Sequence, residues 1–266
     1  MNRLDDLLHN LWQHYARVNV QAHDIHAALQ AMGEQVVNDH IAFRTFNHPK
    51  LNVDALAKTF LQFGYVEKGH YTFAEKQLNA KHYEHPEERY PRIFISELLV
   101  ERFSKDMQAV VQELVDAVPD NVVHAWDFCA SNVVWPMIPY ATYEALRRES
   151  EYAAWLAAFG FCANHFTISI NALQGFADLA AFNEFIRQSG YALNTAAGEI
   201  KGGADVYLEQ SSTLASPVKV AFADGEKEIP CCYYEFAKRY PLPDGTLFNG
   251  FVAKSADKIF ESTDKR

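Results

Sequence analysis

The sequence predicts an α+β fold in which two βαβββ modules build one curved, barrel-like mixed sheet with additional helices. Three observations carry that prediction. A strand followed by an amphipathic helix occurs twice, and a shift of 125 positions lays His40 on His165 and Phe60 on Phe185, while 126 lays Gly64-Tyr65 on Gly190-Tyr191. Each half then closes on a strand bearing a carboxylate, Glu97 in the first and Glu235 in the second. A repeated order of strand, helix and three strands is a duplicated unit, and two such units side by side form a curved sheet lined by alternate residues of each strand. The separation from His to Glu is 57 residues in the first half and 70 in the second, so the second is expected to carry about a dozen extra loop residues.

The elements follow from local pattern. Leu4, Leu7, Leu8, Leu11, Trp12 and Tyr15 recur at helical spacing, and a second helix carries Ile25, Leu29 and Met32 before stopping at Gly33. Together they predict a helical cap over residues 1–35. From 36 to 46, β-branched and aromatic residues predict a strand, ended by the turn residues Asn47, His48 and Pro49. Asn52 caps a helix with Val53, Leu56, Ala57, Phe60 and Leu61 on one face, closed by Gly64. Strands are expected over 65–73 and 92–99, with a polar loop at 79–91. A helix opened by Ser104 completes the first module with its trailing helix, 36–118.

Residues 119–160 read as a connector, containing Trp135, Pro136, Pro139 and one helix from about 142 to 158. The second module, 161–256, restarts with a strand from His165 to Asn171 and a helix carrying Leu179, Phe182, Phe185 and Ile186. A polar tail, 257–266, ends a chain read as a single domain.

Composition narrows the function. The net charge of −10 has no basic stripe to neutralise phosphates, which argues against a nucleic-acid partner but leaves a small anionic substrate in a locally positive pocket. No apolar run is long enough to span a bilayer, so no membrane partner is expected, and no signal or transit peptide is read at Met1 to Asp6. Cysteines at 129, 162, 231 and 232 match neither a disulfide framework nor a zinc pattern, and they read as small buried residues in a reducing, cytoplasmic setting.

Alternation places His40, Ala42 and Arg44 on one face of the first strand, with His40 and Arg44 about 13 Å apart. On the second strand His165, Thr167, Ser169 and Asn171 share a face that is unusually polar for the middle of a domain. A single histidine in a strand is more often a satisfied core or surface residue; equivalent placement in two repeats is what singles out His40 and His165. Two imidazoles and a carboxylate are the ligand set of non-haem Fe(II) oxygenases, and Zn(II) uses a similar set. Glu235 is open at this point, because Lys238 or Arg239 could pair with it, and Glu97 could be a fourth ligand or lie outside the cavity. A lone arginine usually pairs with a surface carboxylate, and the face shared with His40 favours the pocket for Arg44. Gln210, Ser211 and Ser212 run along a strand, and some of them must face inward.

At these positions the chain resembles the 2-oxoadipate dioxygenase/decarboxylase, or hydroxyglutarate synthase, family. The resembling segments are Asp39-His40-Ile41-Ala42-Phe43-Arg44-Thr45, Pro91 to Leu98, Asn164-His165-Phe166-Thr167, Glu209-Gln210-Ser211-Ser212-Thr213 and Tyr234-Glu235-Phe236. The resemblance implies a vicinal oxygen chelate-like fold, Fe(II) on His40, His165 and Glu235, and Arg44 as the catalytic group that takes a substrate carboxylate. Gln210 and Ser212 are expected to bind substrate beside it. The implied reaction turns 2-oxoadipate and O2 into 2-hydroxyglutarate and CO2. Two rivals share the fold: a glyoxalase-type lyase or isomerase on Zn(II) or Ni(II), in which Glu97 joins the metal, and a protein that binds a small molecule without chemistry.

Overall fold

A computed structural model describes residues 3–252. The chain begins with α1 (Arg3–Val18) and α2 (Val20–Ala31), then enters the first module: β1 (Asn38–Phe46), α3 (Val53–Leu61), β2 (Val66–Phe73), β3 (Leu78–Glu84) and β4 (Arg92–Leu98). Helices α4 (Lys105–Ala117), α5 (Asp120–Val123), α6 (Tyr140–Glu149) and α7 (Glu151–Phe159) lead to the second module. That module is β5 (Ala163–Ser169), α8 (Leu179–Gln188), β6 (Lys201–Gly203), β7 (Leu208–Ser212), a β8 (Pro217–Phe222) and β9 (Gly225–Pro230) hairpin, and β10 (Glu235–Arg239).

Eight strands form one sheet in the order β2-β3-β4-β1-β5-β10-β7-β6. Read outward from the β1–β5 seam, the halves match as β1-β4-β3-β2 and β5-β10-β7-β6. In each, the first pair is parallel and the next two are antiparallel. The seam is antiparallel and pairs Ile41 with Phe166, so a local two-fold through that pair carries His40 onto His165. The 125-residue repeat is the register of the seam. The extra length of the second half is the β8–β9 hairpin, which forms a separate two-stranded sheet.

The helices show why these segments fold as they do. Asn52 accepts the backbone N–H of Ala55, Ser104 that of Met107, and Asp178 that of Ala181, each satisfying a donor that a helix start leaves open. Gly64 and Gly190 leave their helices with φ of 93° and 87°, a backbone that a side chain would strain. Phe60 of α3 packs on Phe43, Tyr15 of α1 on Phe166, and Phe182 of α8 on Phe236. All six rings are buried, each contributing roughly 1.5–3 kcal/mol. These contacts cover the convex face, because Phe43, Phe166 and Phe236 each adjoin a residue pointing the other way.

Three expectations are corrected. The polar loop at 79–91 contains β3, whose sequence Asn-Ala-Lys-His-Tyr-Glu hides its alternation; Ala80 and His82 are nonetheless buried. The single helix from about 142 to 158 breaks at Ser150, which leaves α-geometry (φ −151°, ψ 109°) and caps α7 by accepting from Ala153. The strand expected to reach Asn171 ends at Ser169, and Asn171 instead holds Arg239 through two backbone hydrogen bonds. The expected polar tail at 257–266, and the last residues of the second module from 253, lie outside the described residues. Cys129, Cys162, Cys231 and Cys232 are free and buried. Among the described residues, no helix is long and apolar enough to cross a membrane.

Candidate metal centre

The concave face receives one histidine from each central strand. Across the seam His40 opposes Thr167 and Ala42 opposes His165, so the two imidazoles lie diagonally on one side with ring centroids 5.5 Å apart. Glu235 opposes Thr167 from the other flank of β5 and enters the same space. One ligand atom from each of His40, His165 and Glu235 lies within 4.8 Å of the others, and all three residues are buried.

The hydrogen bonds define the orientation. His40 Nδ1 is 2.8 Å from a carboxylate oxygen of Asp39, which can only accept, so Nδ1 carries the proton and Nε2 offers a lone pair. His165 Nδ1 lies 3.1 Å from Asn164 Oδ1, leaving its Nε2 facing inward in the same way. The two Nε2 atoms then face the two Glu235 oxygens, at 3.4 Å for His40 and 3.3 Å for His165. Lone pairs facing a carboxylate repel unless a cation or a proton lies between them.

Burial lowers the pKa of both histidines, His165 well below the ordinary range with the help of the nearby His40 and Arg44 charges. Burial pushes the Glu235 carboxyl up to about 8, although the Gln210 amide, donating to Glu235 Oε1 at 2.6 Å, opposes the shift. The residues therefore fit a divalent metal: two neutral nitrogens and one carboxylate, dry and preoriented. No other group of three or more His, Cys, Asp or Glu residues among those described could hold one.

Asp39 is the hub of the surrounding shell. Burial would push its carboxyl up, but the Arg239 guanidinium and the His40 hydrogen bond hold it well below the usual range. Arg239 grips both Asp39 oxygens, Nε to Oδ2 at 2.7 Å and Nη2 to Oδ1 at 2.9 Å, in the two-pronged geometry of a strong ion pair. Its third nitrogen donates to the carbonyls of Phe248 and Gly250, drawing the following segment over the site. There Phe251 stands edge-on to His40, with centroids 4.8 Å apart, and its amide donates to Tyr71 Oη.

The other expected site residues occupy distinct places. Arg44 is buried on the face of His40 and donates to Glu151 Oε1 at 3.0 Å, with its guanidinium over the Tyr152 and Trp155 rings of α7. Its carboxylate partner comes from the α6–α7 junction rather than from the surface, a contact that sequence spacing did not reveal. Gln210 and Ser212 share the concave face, opposite Ala237 and Glu235, and the Gln210 amide is spent on orienting Glu235. Ser211 points to the other side and donates to Asn183 of α8.

Glu97 is a correction. It opposes Thr45, on the convex side of β1, and accepts the backbone N–H of Val53 at the start of α3. By the seam's two-fold the counterpart of Glu235 is Phe94, which opposes Ala42 as Glu235 opposes Thr167. Asp39, Arg239 and Phe251 were not singled out from sequence. The signal for the first was present: the 125-residue shift also lays Asp39 on Asn164, two polar residues each preceding a histidine.

The family model described as 2-oxoadipate dioxygenase/decarboxylase matches residues 4–248. The 2-oxoadipate dioxygenase/decarboxylase of Arabidopsis thaliana, a chloroplastic protein, is 36% identical over 255 residues, which span 86% of this chain and 69% of the relative. A crystal structure from Shewanella frigidimarina, described as a hydrolase, is 48% identical with a TM-score of 0.90, covering 95% of this chain and 99% of that one. Hydroxyglutarate synthase from Oryza sativa, solved in complex with 2-oxoadipate, is 34% identical with a TM-score of 0.89 over 97% of this chain and 91% of that one. A glyoxalase superfamily structure from Ralstonia eutropha, 21% identical at TM-score 0.78 over 92% of this chain and 84% of its own, shares the fold.

Proposed function

The chain belongs to the 2-oxoadipate dioxygenase/decarboxylase family, and from that premise we propose that it is an Fe(II) enzyme converting 2-oxoadipate and O2 into 2-hydroxyglutarate and CO2. One observation carries the reading: the Nε2 atoms of His40 and His165 converge on the two oxygens of Glu235, in a buried site that no fourth His, Cys, Asp or Glu joins among the described residues. A divalent metal held by His40, His165 and Glu235 would keep positions free for a 2-oxo acid and for O2.

Fe(II) held there supplies the redox chemistry and the coordination sites that O2 requires; Zn(II) would fit the same donors without it. The chain supplies the rest. Burial keeps both imidazoles neutral, the Asp39 carboxylate fixes the His40 tautomer, and the Gln210 amide fixes Glu235. Arg44 takes a carboxylate of the acid, drawing on a guanidinium already oriented by Glu151. Ser212, opposite Glu235, completes the polar wall against which the acid lies. Phe251, edge-on to His40, and the Tyr152 and Trp155 rings under Arg44 give the site apolar borders.

Oxidative decarboxylation cleaves the bond between the first carboxyl and the keto carbon and releases CO2. One oxygen atom completes the new carboxylate, and the other becomes the hydroxyl on the neighbouring carbon. The substrate supplies all four electrons, so no external reductant enters.

The experiment is anaerobic loading with Fe(II), followed by a panel of 2-oxo acids with O2 uptake and CO2 release measured together. One CO2 per O2 with 2-oxoadipate is expected, and His40→Ala or His165→Ala should lose both metal and turnover while keeping the fold. Turnover that persists without O2 would overturn the proposal and favour hydrolase or lyase chemistry. Because Glu97 faces the convex side, the four-ligand arrangement of a glyoxalase-type enzyme lacks its last member.

A further inference from the structure

Tyr233 precedes Glu235 by two positions and is fully buried, its ring stacked on His165 with centroids 4.6 Å apart and planes 27° from parallel. Its backbone carbonyl is held by the hydroxyl of Tyr15, so neither main chain nor ring is free to turn away. The phenol oxygen has no hydrogen-bond partner among the described residues. The charges that act on it most are Glu235, then Arg44. The ring stacking on His165 and the place two residues before Glu235 set the Tyr233 side chain beside the candidate metal ligands.

Buried hydroxyls are rarely left unsatisfied, because each gave up its water on folding. Tyr83 and Tyr234 also carry unpartnered hydroxyls, so the lack of a partner is not by itself a sign of function. The surroundings separate the cases. Tyr234 packs against Trp12, Tyr15 and Phe236, an aromatic cluster on the convex side. Tyr233 lies instead on His165, beside the candidate metal ligands.

We propose that Tyr233 is a substrate-positioning residue whose hydroxyl donates a hydrogen bond to an oxygen of the 2-oxo acid head group. The proposal rests on the functional reading above and adds to it a donor that neither the metal nor Arg44 provides. The bond satisfies the phenol only when substrate is bound. It holds the acid head against His165 and sets the orientation in which the neighbouring carbon meets the oxidant.

The test uses Tyr233→Phe in the metal-loaded protein under anaerobic conditions, with calorimetric titration of 2-oxoadipate and a melting curve of the unliganded form. Binding should weaken by about 10- to 100-fold, the size expected when a buried acceptor loses its donor. Metal content and the unliganded melting temperature should stay the same or rise, since the lost hydroxyl had no partner. Tyr234→Phe is the control and should leave affinity at the wild-type value. Equal affinity in Tyr233→Phe and wild type overturns the inference alone; so does a lower melting temperature with unchanged affinity, which marks a structural hydroxyl. If the wild type binds no 2-oxo acid, the functional reading fails and takes this inference with it.

Discussion

Asp39 joins one candidate metal ligand to two arginines, because its carboxylate accepts from His40 while Arg239 grips both oxygens and Arg92 lies 3.4 Å away. Asp39→Asn keeps the shape but removes the charge, so metal affinity should fall about 10- to 100-fold, measured by competition with a chelator. Glu235 gives the pH dependence. Burial raises its carboxyl from the ordinary 4.5 to about 8 without metal, so the folded protein holds a proton that the unfolded chain has released. A raised carboxyl favours folding fully below 4.5 and loses that contribution as pH climbs through 8, so the metal-free protein should weaken across this window. A metal must displace the same proton. Below pH 8 its apparent affinity should rise about tenfold per pH unit, and calorimetry in buffers of different ionisation enthalpy near pH 7 should show one proton released per ion. His40 and His165 were legible in the sequence because the repeat doubled the signal. Glu235 was not separable from a surface ion pair with Arg239, since the true partner of Arg239, Asp39, lies 200 positions away.

At the scale of elements, Glu97 and Phe94 show what register decides and composition does not. Both lie on β4, three residues apart, and alternation sends Phe94 to the metal side and Glu97 to the start of α3. Glu97→Ala should therefore cost about 1 kcal/mol, the usual worth of a carboxylate at a helix start, and leave metal content unchanged. Loss of metal in that variant would return Glu97 to the coordination sphere. The module order was readable because the first strand and helix of each half keep clear periodicities of 2 and 3.6. Strand β3 was hidden by polar residues in a half-buried strand, and the division of α6 from α7 by a serine that looks compatible with either helix. The position of the hairpin was also hidden, although a length difference between the halves announced that something was inserted.

For the whole molecule, the candidate centre joins both halves: His40 comes from the first module, and His165 and Glu235 from the second. Stripping metal should thus lower a single cooperative transition rather than split it. At an ion concentration about a thousandfold above its dissociation constant the stabilisation is about 4 kcal/mol, so chelation should depress the melting temperature by roughly 10 °C in calorimetry. A melting curve indifferent to chelator would contradict the assignment. The seam between β1 and β5 carries a further consequence. Two copies of one architectural plan face each other there, yet one presents a carboxylate and the other a phenyl ring at the same station. Had both kept the acid, an ion would be enclosed by four side chains, with little opening left for a visitor. On the proposed reading, the phenyl ring at that station is what leaves the half-shell open. Phe94→Glu should reverse it, holding the ion more tightly against chelator while oxygen uptake declines.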